Sequence, residues 1–586
     1  MTLLTRTPER TDRRHARVRA LSLLAMLAGT AAADGPGPAD TLFVNGHVLT
    51  LDVAGTVVEA VAVRDGRILA TGTDAQVRRL AGPGTAVVDL HGRTVLPGFV
   101  DGHAHPSIAV RMIERYLDGR IATTPSVAVL LQKIATRAAA TPAGEWVIVA
   151  GSSSSQTRFA ERRLPTRLEL DAAAPGVRVM FLNGSHEAVT SSAGLRALGI
   201  SRGMHELKGA HIELDAAGEP TGVIREGLAI FPDQPIPADD LRRYYTRVIP
   251  EMWNARGYTS VYALAPLNQL PVLREVAQAG PATLRYAIGI HADPAGRFLP
   301  ASLDGLAFAP GVDPAWYRMA GIKMWVDSDV PMRGGAVTVP YAGAAGGHGL
   351  LNVTQAELDA LALRAQRAGV AFLAHATGDR ATAMALDAFE HAQAAAGAPA
   401  TGRGLRRIEH FGEFMLGPDD LARAKRLDVA VNVQPGWIYT LANSTIENLG
   451  AVRARGAFQF RAMIDAGLEP GFGTDLTGIV LETLNPFLHV WAAVTRMSDA
   501  GVFVPEQAVS VTEALRMLTL WAARAQGEDA LKGSLEPGKF ADMVVISDDI
   551  TKVRPAAIRE LRVLETIVGG RVVYDTLQGA GGRDPF

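Results

Sequence analysis

The chain has 586 residues, 48% of them hydrophobic and 20% charged, with a formal net charge of −2. It is too long for one minimal domain and apolar enough for a large core, and its charge gives no electrostatic case for nucleic acid or an anionic membrane. Cysteine is absent, which excludes disulfides and thiolate ligands, so any metal must be held by His, carboxylate or modified Lys.

At the start, Arg13, Arg14, Arg17 and Arg19 precede an apolar run from Ala20 that ends in Ala31-Ala32-Ala33. This is the layout of a secretory signal peptide over 1–33, and it predicts a periplasmic or secreted mature chain beginning near Asp34. A disordered basic leader or a misassigned start codon is the alternative reading. Arg13-Arg14 opens like a twin-arginine signal, but the residues after it match poorly. No later apolar stretch reaches the roughly 20 residues of a membrane helix, so no membrane association of the mature form is expected.

Gly35-Pro36-Gly37-Pro38 reads as a linker, and β patterning follows over 34–95. Glu59 to Arg64 alternates, Asp65-Gly66 is a two-residue hairpin signal, and Arg67-Ile68-Leu69-Ala70 is the return strand. A second β cluster over 533–586 contains Met543 to Ile546, then Val563 to Val568, Gly569-Gly570 and Arg571 to Tyr574. Neither cluster could bury both faces of a sheet, which points to one small β-sandwich built from both chain ends.

Between them, 96–532 alternates strand-like and helix-like runs. Thr94 to Gly102 is an apolar run that ends in His103 and His105. In a strand such a pair shares a face, with Cα atoms about 6.6 Å apart, so both imidazoles could converge on one ion. The stretch from Ser107 to Met319 is too long for two plain βα units, and Asp215 to Gly222 within it reads as an inserted hairpin. Thr354-Gln355-Ala356-Glu357 is a capping box that opens a helix to about Ala368. Then come a strand ending at His375, a helix from Arg380 to about Ala396, a strand ending at His410, a helix opened by Pro418 and a strand over 428–434. This order predicts a parallel sheet, and at this length a closed (β/α)₈ barrel. Lys323 and Asp475 likewise stand in or just after short apolar segments, and the six residues offer nitrogen and oxygen donors of the kind zinc and related ions take.

The segments Leu96-Pro97-Gly98-Phe99-Val100-Asp101-Gly102-His103-Ala104-His105, His375-Ala376-Thr377-Gly378-Asp379-Arg380, Arg407-Ile408-Glu409-His410, Gly473-Thr474-Asp475 and Gly538-Lys539-Phe540-Ala541-Asp542 carry a resemblance to a known family. From about Thr41 to Tyr574 the chain resembles the amidohydrolase superfamily, in particular its YtcJ-like branch with the N-substituted formamide deformylases. The resemblance implies an α/β fold, a distorted (β/α)₈ TIM barrel with one or two divalent ions at its C-terminal face, beside a small β-sandwich. It also implies hydrolysis of a non-peptide amide-type C–N bond in a small-molecule substrate.

The resemblance assigns His103, His105 and Asp475 to the more buried metal and His375 and His410 to the second. Asp475 would also be the general acid/base; a helix-capping Asp is the plainer reading. A buried lysine tends to lose its charge, and in the matching slot Lys323 is expected as an N6-carboxylated bridge. Its alternative is an amine paired with Asp327 or substrate. Glu409 should point away from the face that His410 occupies, as a packing charge. His186 and Glu226 match pocket-lining positions in similar proteins, and Trp437 reads as a pocket wall or a core side chain. Val326-Asp327-Ser328-Asp329 departs from the usual Asp-Gly after the lysine, which leaves loop shape and substrate choice open. An ester, lactone or carbamate hydrolase on the same site, or a non-catalytic binding protein, are the other function classes. Oligomeric state is left open.

Overall fold

The structure, a computed structural model, describes residues 37–577 apart from 185, 228–229, 233–234, 281, 293–298, 301, 344–345, 397–403 and 478–480. The leader read at 1–33 lies outside the described residues.

Eight strands form the central parallel sheet: β1 (Phe99–Ala104), β2 (Tyr258–Ala265), β3 (Arg285–His291), β4 (Tyr317–Trp325), β5 (Ala371–His375), β6 (Arg406–Glu409), β7 (Ala430–Val433) and β8 (Gly471–Phe472). Their order in the sheet is their order in the chain. Helices fill the crossovers, among them Gln355–Ala368 between β4 and β5 and Asp379–Ala396 between β5 and β6. With helices outside and side chains inside, both faces are dry, which is why β2 is buried at all eight positions and reads as an almost unbroken apolar run.

The barrel closes just beyond β8. Asp475 N donates to His103 O at 2.8 Å and His105 N donates to Leu476 O at 3.0 Å. The buried Asp101 carboxylate pins the same seam, accepting from Thr474 N at 2.9 Å, Thr474 Oγ1 at 2.8 Å and Trp253 Nε1 at 2.9 Å.

The sandwich is built from both ends. One sheet runs Arg67–Gly72, Ala60–Arg64, Thr41–Val44, Ala86–Asp89; the other runs Arg571–Asp575, Val563–Val568, Met543–Ile546, Thr94–Pro97, His47–Leu49, Val57–Val58. Phe43, Val63, Val95, Met543 and Ile567 share its buried core. The two-residue turn read at Asp65-Gly66 is present, with positive φ at both residues, and Gly569 and Gly570 also have positive φ between their two strands. Thr94–Pro97 still pairs with Met543–Ile546, so the chain enters the barrel at Gly98, where the sequence pattern suggested 95–96.

The segment between β1 and β2 is larger than the hairpin expected there. Helix Pro106–Arg115 leads into a seven-stranded mixed sheet from Leu117 to Arg225, with a core of its own around Val149, Phe159 and Phe181. The expected hairpin is one part of it, Ala210–Leu214 with Pro220–Arg225.

Candidate active site

Strand register collects the site residues at one end of the barrel. His291 of β3 pairs with Lys323 of β4, Trp325 with His375 of β5, and His375 with Glu409 of β6. All lie at strand C-termini, the face on which such barrels place their chemistry. They line or underlie a cavity of about 470 Å³.

Asp475 gathers the β1 histidines. Its Oδ1 is 3.2 Å from His103 Nε2 and 3.3 Å from His105 Nε2. Donors bound to one tetrahedral ion by bonds of about 2.0–2.1 Å stand about 3.4 Å apart, so these separations suit a shared cation. Burial opposes ionisation of Asp475, but His103 and His105 hold its carboxyl well below the usual range.

Glu409 corrects the sequence expectation. It does not face away from the pocket: its Oε2 is 2.6 Å from His103 Nδ1 and its Oε1 is 2.8 Å from Arg407. Strict alternation fails because His410 follows the strand with φ 66°, turning the backbone so that both neighbours point inward. A carboxylate on Nδ1 fixes the tautomer and leaves Nε2 free as a donor to metal. At His410 the partner of Nδ1 is the amide oxygen of Gln434 at 2.7 Å, with the Glu413 carboxylate at 3.2 Å, and at His186 Nδ1 again meets a carboxylate, that of Glu226 at 3.0 and 3.2 Å. Nε2 of His375 and of His410 is buried without a hydrogen-bond partner, as is Nε2 of His291. Unsatisfied buried nitrogens of this kind call for a missing partner, and imidazole and carboxylate donors together suit a zinc-like ion.

Lys323 is fully buried, with Nζ 3.4 Å from His103 Nε2 and 5.8 Å from the Trp325 ring centre. Burial brings its amine down to about 8. Asp327, one of its proposed partners, is occupied elsewhere: its carboxylate accepts from the backbone N–H groups of Ala336, Thr377 and Gly378 and so fixes the loop after His375.

Trp437 is a wall with a second role, since its ring stacks on His410 at 4.9 Å and 6°. His186 lines the cavity directly, and Glu226 reaches it through His186; both side chains are largely buried rather than superficial. Burial works against a charge on His186, but Glu226 and Asp329 raise its pKa to about 10. Much of the remaining wall is apolar, with Ile148, Met180 and Leu182 from the inserted sheet, Met112 from the helix after β1, and Trp325, while Arg111, Ser153, Asp329, Thr477 and Thr483 are polar members of it.

Sequence reasoning missed His291 and Asp329 as cavity-lining residues. His291 ends the apolar run Tyr286 to Ile290, the same signal that singled out His375. Asp329 lay inside the noted departure after Lys323, without a function attached.

The amidohydrolase family profile matches residues 86–574. The chain belongs to the amidohydrolase family. This amidohydrolase is 30% identical over 558 residues to the N-substituted formamide deformylase of Arthrobacter pascens, covering 92% of this chain and 98% of that one. It is 26% identical over 545 residues to a Bacillus subtilis (strain 168) protein carrying the amidohydrolase name YtcJ, covering 90% and 98%. Among solved structures it is similar to an uncharacterised metal-dependent hydrolase from Pyrococcus horikoshii OT3, with a TM-score of 0.67 at 24% identity over 88% of this chain and 99% of that one. At that identity the likeness is one of fold.

Proposed function

We propose that this amidohydrolase cleaves a non-peptide amide-type C–N bond in a small-molecule substrate. The observation that carries the reading is the convergence of His103, His105 and Asp475 beside the unpartnered nitrogens of His375 and His410, in one cavity. The relative named for deformylating N-substituted formamides supports the bond type. The apolar wall supports a hydrophobic substituent on nitrogen, since Ile148, Met180 and Leu182 would lie against it.

His103, His105 and Asp475 would hold a divalent ion, of which zinc suits the donors best, with Lys323, His375 and His410 facing it. Such an ion supplies Lewis-acid polarisation of a carbonyl and brings the pKa of water toward about 7. The residues do the rest. Glu409 and Gln434 fix the imidazoles of His103 and His410, and Trp325 and Trp437 close the sides against bulk water. Asp475 accepts the proton of the attacking water and later delivers it to the leaving nitrogen, so the C–N bond breaks to an amine and a carboxylic acid.

The test is turnover of a panel of formamides, N-acyl amino acids, carbamates and lactones in ¹⁸O-labelled water. Amide cleavage should place the label in the acid product. Asp475→Asn should lower kcat by about 10²–10⁴-fold while disturbing KM less, because the lost interaction belongs to the transition state. Near-normal turnover by Asp475→Asn would reassign the proton to another group. A preference for lactones or carbamates would change the bond, and binding without turnover across the panel would favour a non-catalytic binding protein.

A further inference from the structure

Buried cations in this chain are met by carboxylates. Arg285 faces Asp542 at 2.8 Å, Arg407 faces Glu409 at 2.8 Å and Lys532 faces Glu528 at 2.7 Å. Arg496 is as deeply buried, at 0% exposure, yet among the described residues it has no such partner. Its one side-chain hydrogen bond there runs from Nε to Phe503 O at 3.0 Å, while Nη1 and Nη2 are buried without an acceptor.

The backbone explains how the guanidinium comes to be inside. Arg496 ends the helix Pro486–Thr495 in the left-handed conformation, φ 57°. Its carbonyl accepts from Phe503 N at 2.7 Å, beyond the hairpin of Met497–Ser498 and Gly501–Val502. Main chain and Nε thus both engage Phe503, and the head group lies over the Phe460 ring, 5.3 Å from its centre. Phe458 packs edge-on against both Phe460 and Phe503, so the surroundings are aromatic. Glu506 is the carboxylate that bears on Arg496 electrostatically, but it stands at the surface and pairs with Arg455 at 2.8 Å.

A buried donor needs an acceptor, and a buried charge needs an opposite charge. Water could serve the first need but not the second. The helix end offers only partial negative charge, and none of its carbonyls accepts from Nη1 or Nη2. A cation–π contact offsets only part of the cost of desolvating a full charge. Burial pulls the pKa of Arg496 down to about 9, so it is still a cation at neutral pH. One small anion would meet both needs.

We propose that Arg496 holds a buried, halide-sized anion on Nη1 and Nη2, beside the aromatic cluster of Phe458, Phe460 and Phe503. A single-atom anion is the class that fits, because the side chain reaches no solvent from which a phosphate or an organic carboxylate could approach it. The anion would act on stability. Asp499 of the same hairpin donates from N to Tyr439 O at 3.2 Å, so the site braces the helix Trp437–Leu449, which carries the cavity wall Trp437.

The test uses the full chain, exchanged into gluconate and titrated with chloride or bromide at constant ionic strength. The melting temperature should rise with halide and saturate, by about 2 °C at one hundred times Kd for a chain of this length. Crystals grown in bromide should show an anomalous peak bonded to Nη1 and Nη2 of Arg496. Arg496→Met should lose the halide response yet melt at or above the parent protein in gluconate, because it no longer buries an unpaired charge. An arginine with a merely structural role would give the opposite order. Ordered water or an inturned Glu506 carboxylate in place of the bromide peak overturns the proposal, as does a halide response that survives in Arg496→Met. The bromide map of the unmutated protein decides the matter even if the variant fails to fold.

Discussion

Lys323 sits fully buried with its amine 3.4 Å from an imidazole nitrogen. An ammonium there would be desolvated and would repel a nearby cation, whereas a neutral amine can add carbon dioxide. That addition would form an N–C bond, release one proton from the nitrogen and make the lysine an anion with two oxygens. Intact-mass measurement of zinc-loaded protein should therefore show the increment of one carbon dioxide, lost on metal removal in acid. Lys323→Ala should lose activity and regain part of it with formate or propionate. An unmodified lysine in fully metallated, active protein would favour a role for the free amine. Lys323, His375 and Asp475 were legible in the sequence because each follows an apolar run at a strand end. Glu409 was not: it shares the inner face with Arg407, and what hides this is that His410 also turns inward through its left-handed backbone, which no glycine at that position marks.

Among elements, the legible ones were those specified locally. The helix at Gln355–Ala368 begins where Thr354 and Glu357 cap one another, and Gly369 ends it with φ 63°. The inserted sheet was opaque because it departs from chain order, with Pro220–Arg225 pairing to Glu187–Thr190 as well as to its hairpin partner. The β1–β8 seam is likewise nonlocal, and it is where His103 and Asp475 are set against each other. Gly102 and Gly473 allow the approach. A Cβ on Gly102 would collide with the Phe472 carbonyl oxygen and lie 2.6 Å from Asn432 Nδ2, and one on Gly473 would lie 2.6 Å from His103 Cβ. Gly102→Ala should thus destabilise by about 1–3 kcal/mol through overpacking and weaken zinc at the His103 site along with it. A variant with lowered melting temperature but unchanged zinc affinity would show that the seam absorbs the strain without moving the ligands.

For the molecule as a whole, the junction of barrel and sandwich hangs on a charge pair at the end of the barrel opposite the cavity. Arg285, at the start of β3, donates to both oxygens of Asp542, at 2.8 and 3.0 Å, while Gly569 N donates to Asp542 at 2.9 Å. The guanidinium lies between the rings of Trp316 and Phe540, 4.3 and 3.8 Å from their centres. Asp542 closes the segment Gly538 to Asp542, which helped mark the family in sequence but gave no sign of its role. The geometry makes it a tie between domains. Removing one partner of a buried pair strands the other, at about 3–5 kcal/mol, whereas replacing both with apolar side chains is often neutral. Asp542→Ala should therefore shift the denaturation midpoint strongly, and the pair Arg285→Met with Asp542→Leu should recover much of the loss. In both, kcat/KM per folded molecule should stay near that of the parent protein, because no cavity residue is touched. A fall in kcat/KM at unchanged stability would mean that the junction governs the site through the strands, and the separation drawn here between a stabilising end and a reacting end of the barrel would have to be abandoned.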